Sequence, residues 1–104
     1  GPVENERVRI TLQIAYNSNI DEVKSMLIKI ALKNEDVLKN PLPRVRFREF
    51  ADHGLKLQLL FWIYKPEIRG KTIDLINTEI YKKFSENNIL IPFPTMNVVL
   101  PEKE

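Results

Sequence analysis

From Arg7 to Ala15, apolar Val8, Ile10, Leu12 and Ile14 alternate with polar Arg7, Arg9, Thr11 and Gln13. That period of two, rich in β-branched residues, predicts a strand with one buried face. Tyr16-Asn17-Ser18-Asn19 then turns the chain. Asn19 stands three residues before Glu22, the spacing of a capping box, and Asp21 and Glu22 suit the positive end of a helix. The helix is expected to run to about Asn34, with Ile20, Val23, Leu27, Ile30 and Ala31 as its core stripe. Ile28 and Leu32 fall off that stripe, on the flank expected to face solvent. They are either scattered surface apolars or a contact patch for another subunit.

Asp36 to Lys39 is expected to add one more helical turn before Asn40-Pro41-Leu42-Pro43, whose prolines forbid helix. A second strand is predicted from Arg44 to Phe50, with Val45 and Phe47 on one face and Arg44, Arg46 and Arg48 on the other. Asp52-His53-Gly54 signals a hairpin. The third strand, Leu55 to Tyr64, puts Leu55, Leu57, Leu59, Phe61 and Ile63 on one face and Lys56, Gln58, Leu60, Trp62 and Tyr64 on the other. Apolar on both faces at its far end, it reads as a central strand. Pro66 opens a second helix to about Glu86, with Ile68, Thr72, Ile73, Ile76, Ile80 and Phe84 as its apolar face. Asn87-Asn88 ends it, since Asn tolerates the left-handed conformation. The rigid, extended Ile91-Pro92-Phe93-Pro94 leads into a last strand through Met96, Val98 and Leu100.

The order β-α-β-β-α-β predicts an α+β fold, the ferredoxin-like sandwich: two helices on one face of a four-stranded antiparallel sheet, the other face open. Composition fits one domain, residues 3–101, with 102–104 as a polar tail. Gly1-Pro2 reads as the scar of a cleaved expression tag, so the natural chain is expected to begin upstream. The 104 residues carry 43% hydrophobic content and a formal net charge of +2. That balance names no nucleic-acid or membrane partner. With no cysteine there is no disulfide framework and no thiolate chemistry. The longest apolar run, Leu57 to Tyr64, is too short to span a bilayer.

Catalysis finds no foothold. His53 is the sole histidine and sits in a predicted turn, without a second histidine or a cysteine to share a metal. The glycines are too scattered for a phosphate loop, and no serine stands in a nucleophile elbow. Neither catalytic, cofactor-binding nor metal residues are expected. The open sheet face mixes Arg7, Arg9, Arg46, Arg48 and Lys56 with Leu60, Trp62 and Tyr64. Such a face stacks RNA in RNA-recognition motifs, yet strand one offers no ring and strand three lacks their glycine-punctuated aromatics. Packing of Leu60, Trp62 and Tyr64 on another domain or subunit is the favoured reading of this face, and no nucleic-acid partner is expected.

Several stretches, in order, resemble the C-terminal domain of the small-conductance mechanosensitive channel (MscS) family. Ala15-Tyr16-Asn17-Ser18-Asn19-Ile20-Asp21 resembles the family's entry into its first helix, with Asn19 ahead of Ile20 where an acid is usual. Val37-Leu38-Lys39-Asn40-Pro41-Leu42-Pro43-Arg44-Val45 resembles its proline link, Asn40 replacing Asp. Asp52, Leu55, Leu57, Leu59 and Trp62 match its hairpin. Asn88-Ile89-Leu90-Ile91-Pro92-Phe93-Pro94 resembles its signature "Gly-Ile-x-Ile-Pro-Phe-Pro-Gln", with Asn88 for Gly and Thr95 for Gln.

The resemblance implies a channel of the bacterial inner membrane that opens under tension and releases ions and small solutes in hypo-osmotic shock. This segment would be part of its cytoplasmic cage, in contact with copies of itself, usually seven, and with the membrane only through upstream helices. The role would be structural, for assembly and solute filtering, with no cofactor. A further strand closes a small barrel in many members, and Pro101-Glu102-Lys103-Glu104 discourages one here. The alternative is a stand-alone regulatory module of the same fold that binds a ligand or protein.

Overall fold

The computed structural model describes residues 5–92. Strand β1 (Glu6–Ile14) is followed by helix α1 (Ile20–Lys33), strands β2 (Arg44–Phe50) and β3 (Leu55–Ile63), a 3-10 turn (Pro66–Ile68) and helix α2 (Arg69–Glu86). The sheet of these residues has three strands in the order β1-β3-β2. Both pairings are antiparallel, from Glu6↔Ile63 to Ile14↔Leu55 and from Arg44↔Leu60 to Phe50↔Leu55. Apolar on both faces, β3 takes the centre, as its pattern predicts. The predicted strand through Met96, Val98 and Leu100 lies outside the described residues, as do Phe93 and Pro94.

The two helices share one face, α1 touching β2 and β3 and α2 touching β1. Between the layers lies a core of Val8, Ile14, Leu57, Leu59, Phe61 and Ile63 from the sheet, with Val23, Leu27, Ile76 and Phe84 from the helices. Burying each such side chain contributes about 1.5–3 kcal/mol, so this interface carries the fold. Asn19 caps α1 through its side-chain oxygen, which accepts from the Glu22 backbone N–H at 3.1 Å.

At its other end, α1 stops where Asn34 turns extended (φ −79°, ψ 123°) and its Oδ1 accepts from the Asp36 N–H at 2.8 Å. The extra helical turn expected over Asp36 to Lys39 is therefore absent. Val37 is instead fully buried and bridges to Ile63, while the Leu38 N–H donates to the Trp62 carbonyl at 2.8 Å. A helical turn would leave Val37 in water, and burying it outweighs the marginal stability of one more turn. This anchoring fixes the Asn40–Pro43 link, whose Asn40–Pro41 bond is cis, beside the end of β3.

A bulge in β2, between Phe47 and Glu49, inserts one residue. Two consecutive side chains then reach the open face: Arg48 Nε donates to Gln58 Oε1 at 2.7 Å, and Glu49 pairs with Lys56 at 3.8 Å. Phe50 ends at the sheet edge, 75% exposed, its ring edge-on to Phe47 at 5.0 Å.

Helix α2 ends in a Schellman motif. Asn88 has φ 58°, its N–H donates to the Ser85 carbonyl at 3.3 Å, and the Ile89 N–H donates to the Phe84 carbonyl at 2.9 Å. The motif turns Ile89 back onto the core that holds Phe84. The expectation that asparagine supplies the left-handed residue here is met at Asn88.

Candidate functional site

The sequence singles out three groups of surface residues, and the fold puts them in three places. The first is a corner at one end of the sheet. The Ala15 N–H donates to the Leu90 carbonyl at 3.0 Å, drawing the chain leaving α2 onto the end of β1. The Tyr16 hydroxyl donates to the Ala51 carbonyl and ties the hairpin to the same corner. Gly54 completes it: a Cβ there would stand 2.5 Å from the Ile14 carbonyl oxygen and 2.9 Å from Pro92 Cγ. Only a glycine admits Pro92 this close to the hairpin. Pro92 is half-buried and Ile91 is 43% exposed, and both flank a shallow pocket with Thr11, Leu12, Gln13 and His53.

The second place is the open face of the sheet. The register puts Arg9, Leu60 and Arg44 in one row across the strands and Arg7 opposite Trp62 in the next. Leu60 is 7% exposed yet stands outside the core cluster, because it points away from the helices. It is covered from the link side, where it shares a groove of ≈ 480 Å³ with Trp62, Pro41, Pro43, Arg7 and Arg44. Further along, a polar ladder crosses the sheet from Arg48 through Gln58 to Thr11 Oγ1, the second bond 3.1 Å long. Tyr64, beyond the end of β3, is 50% exposed and does not line that groove.

The third place is the flank of α1. Ile28 and Leu32 are half-buried there, less open than their positions off the stripe predict. Lys39 folds over this helix end and donates to the Leu32 carbonyl at 3.0 Å. The structure does not gather the three groups into one site.

The sequence reading missed other exposed apolars: Leu75 and Tyr81 on α2, and Leu42 and Leu90 in the links. Leu75 and Tyr81 each adjoin a core isoleucine, Ile76 and Ile80, so at the edge of the α2 stripe their apolar character gave no sign of exposure. Among the described residues, no group of three or more His, Asp or Glu side chains could hold a metal ion, and no helix is long and apolar enough to cross a membrane.

Comparison with known proteins gives one answer. The family model described as "Mechanosensitive ion channel MscS, C-terminal" matches residues 8–91. Mechanosensitive channel MscK of Escherichia coli is 32% identical over 94 residues, which cover 90% of this chain and 8% of that protein. Small-conductance mechanosensitive channel MscMJ of Methanocaldococcus jannaschii is 29% identical over 101 residues, 93% of this chain and 29% of its own length. The chain thus spans a minor part of each. Among solved structures, closed-state MscS of Helicobacter pylori superposes with a TM-score of 0.73 at 18% identity, over 96% of this chain and 40% of that one. MSL1 of Arabidopsis thaliana does so with a TM-score of 0.68 at 14% identity, over 88% and 34%. At these identities the two structures speak for the fold alone.

Proposed function

The chain belongs to the MscS family of mechanosensitive ion channels, as its C-terminal domain, and we propose that it builds the wall of a cytoplasmic cage beneath the pore of a longer membrane protein. In this reading the parent channel opens under membrane tension and passes ions and small solutes during hypo-osmotic shock. This domain assembles with copies of itself and screens what reaches the pore. The observation that carries the proposal is continuity: the family match runs from Val8 to Ile91, spanning both layers of the fold from β1 to the corner that holds Pro92.

Two features support it. The domain presents apolar surface at separate places, at Ile28 and Leu32, at Tyr64, and at Ile91 and Leu90, as a subunit with several neighbours would. The outer edge of β1 has no strand partner among the described residues, and the Leu90 carbonyl on Ala15 brings the chain to that edge. That placement supports a fourth strand there, in the ferredoxin-like order.

The test is survival of hypo-osmotic shock by cells lacking their own mechanosensitive channels and producing the full-length parent protein. Rescue by the parent, lost when Glu6 onward is deleted, is the expected result. Equal rescue by the truncated protein would leave the domain without a part in the channel.

A further inference from the structure

We propose that the groove on the open face of the sheet binds a small oxyanion, a carboxylate or phosphate, carried on an apolar body. Arg7 lies opposite Trp62 on one side of β3, and Arg44 lies opposite Leu60 on the other. By strand geometry their Cα atoms are about 12 Å apart, within reach of one anion for two side chains of this length. Between them the floor is Leu60 and Trp62, and Pro41 and Pro43 raise one wall. The groove of ≈ 480 Å³ falls within the range of small-molecule sites.

Charge selects the occupant. Among the described residues Arg7, Arg9, Arg44 and Arg46 have no ion-pair or hydrogen-bond partner, whereas Lys56 is held by Glu49 and Arg48 by Gln58. The cations around the groove are therefore uncommitted, and all are arginine, whose planar fork suits carboxylate and phosphate. An isolated anion would leave Leu60, Trp62 and the prolines without a contact. An apolar molecule would ignore the arginines. A ligand with both parts uses the whole site, its head between Arg7 and Arg44 and its body on the Trp62 ring. The link that builds the wall is held by the burial of Val37 and by the Leu38–Trp62 hydrogen bond, so the site is preformed. The inference stands on this face alone and does not depend on the channel reading.

Trp62 is the single tryptophan of the chain and lines the groove, so its fluorescence reports occupancy. The 104-residue chain is titrated with hexyl phosphate, hexanoate, inorganic phosphate and hexanol, each followed by fluorescence and by calorimetry. Saturable binding of hexyl phosphate or hexanoate is expected, at least tenfold tighter than inorganic phosphate or hexanol. Arg7→Gln and Arg44→Gln should each weaken it about tenfold, the worth of one charge-assisted hydrogen bond. Lys82→Gln, on α2, should not change it. Whether phosphate or carboxylate binds better identifies the head group preferred. The proposal is overturned if neither amphipathic anion saturates in both measurements, if hexanol binds as well, or if the arginine variants bind like the parent chain.

Discussion

Gly54 and Gly70 make opposite predictions from the same substitution. At Gly54 an alanine Cβ would lie 2.5 Å from the Ile14 carbonyl oxygen, where an ordinary contact begins at 3.4 Å, and 2.9 Å from Pro92 Cγ. The carbonyl cannot retreat easily, because Ile14 is paired with Leu55 at the end of the β1–β3 ladder. Either the ladder end opens or the Leu90–Pro92 segment lifts off the corner. Forcing a methyl group into such a site costs about 1–3 kcal/mol, and Gly→Ala returns about 0.4–1 kcal/mol by restricting the unfolded chain. The net loss should be about 1–2 kcal/mol, lowering Tm by about 4–8 °C for each kcal/mol in a domain of this size. Gly70 in α2 has nothing within 4 Å of its prospective Cβ, so Gly70→Ala should raise stability by about 0.5–1 kcal/mol. Urea unfolding followed by Trp62 fluorescence measures both. If Gly54→Ala proves as stable as the parent chain while Gly70→Ala gains, the close approach of Gly54 to Ile14 and Pro92 is not part of the folded corner.

Other substitutions test the remaining joints. Asn88→Gly should hold or raise stability slightly, whereas Asn88→Ala should cost about 1 kcal/mol at φ 58°, both read from urea midpoints. Thr72 is fully buried and its hydroxyl has no hydrogen-bond partner among the described residues, so Thr72→Val should stabilise by about 1 kcal/mol; a loss would mean the hydroxyl has a partner. Phe84→Ala removes a buried ring from the core and should cost about 3–5 kcal/mol in thermal or urea unfolding. Val37→Asp should free the proline link, destabilising the chain by about 3 kcal/mol and making bonds in that link cleavable by proteases; resistance would contradict the anchoring.

Much of this architecture is legible in the chain because its signals repeat. Four apolar residues at alternate positions in β1, and a stripe at helical spacing in α1, each state the same thing several times. The end of α2 is legible from one residue because left-handed backbone admits so few residue types, and Asn88 is one of them. Val37 shows the opposite case. The apolar pair Val37-Leu38 in a polar stretch is too short to show a period, and the burial of Val37 depends on its bridge to Ile63 in β3, distant in sequence. Gly54 reads as a turn residue locally, while its lack of a side chain is required by Ile14 and Pro92, partners distant in sequence.

The candidate surfaces divide in the same way. Alternation places Leu60, Trp62 and the arginines on one face correctly. Their union into a groove depends on where the proline link docks, which the pattern does not encode. The bulge that turns Arg48 and Glu49 to one side is also invisible in the pattern, since one inserted residue leaves the alternation before it intact. The expected contact patch at Ile28 and Leu32 rests on apolar character alone, and the fold half-buries both side chains.

The central claim is that this domain is a working part of a tension-gated channel. Its most direct test is current recorded from excised membrane patches containing the full-length parent protein while suction is stepped upward. The account predicts discrete openings whose probability rises with tension, and their loss when the protein is cut before Glu6. Absence of tension-dependent current from the intact parent, or unchanged current from the truncated one, would contradict it.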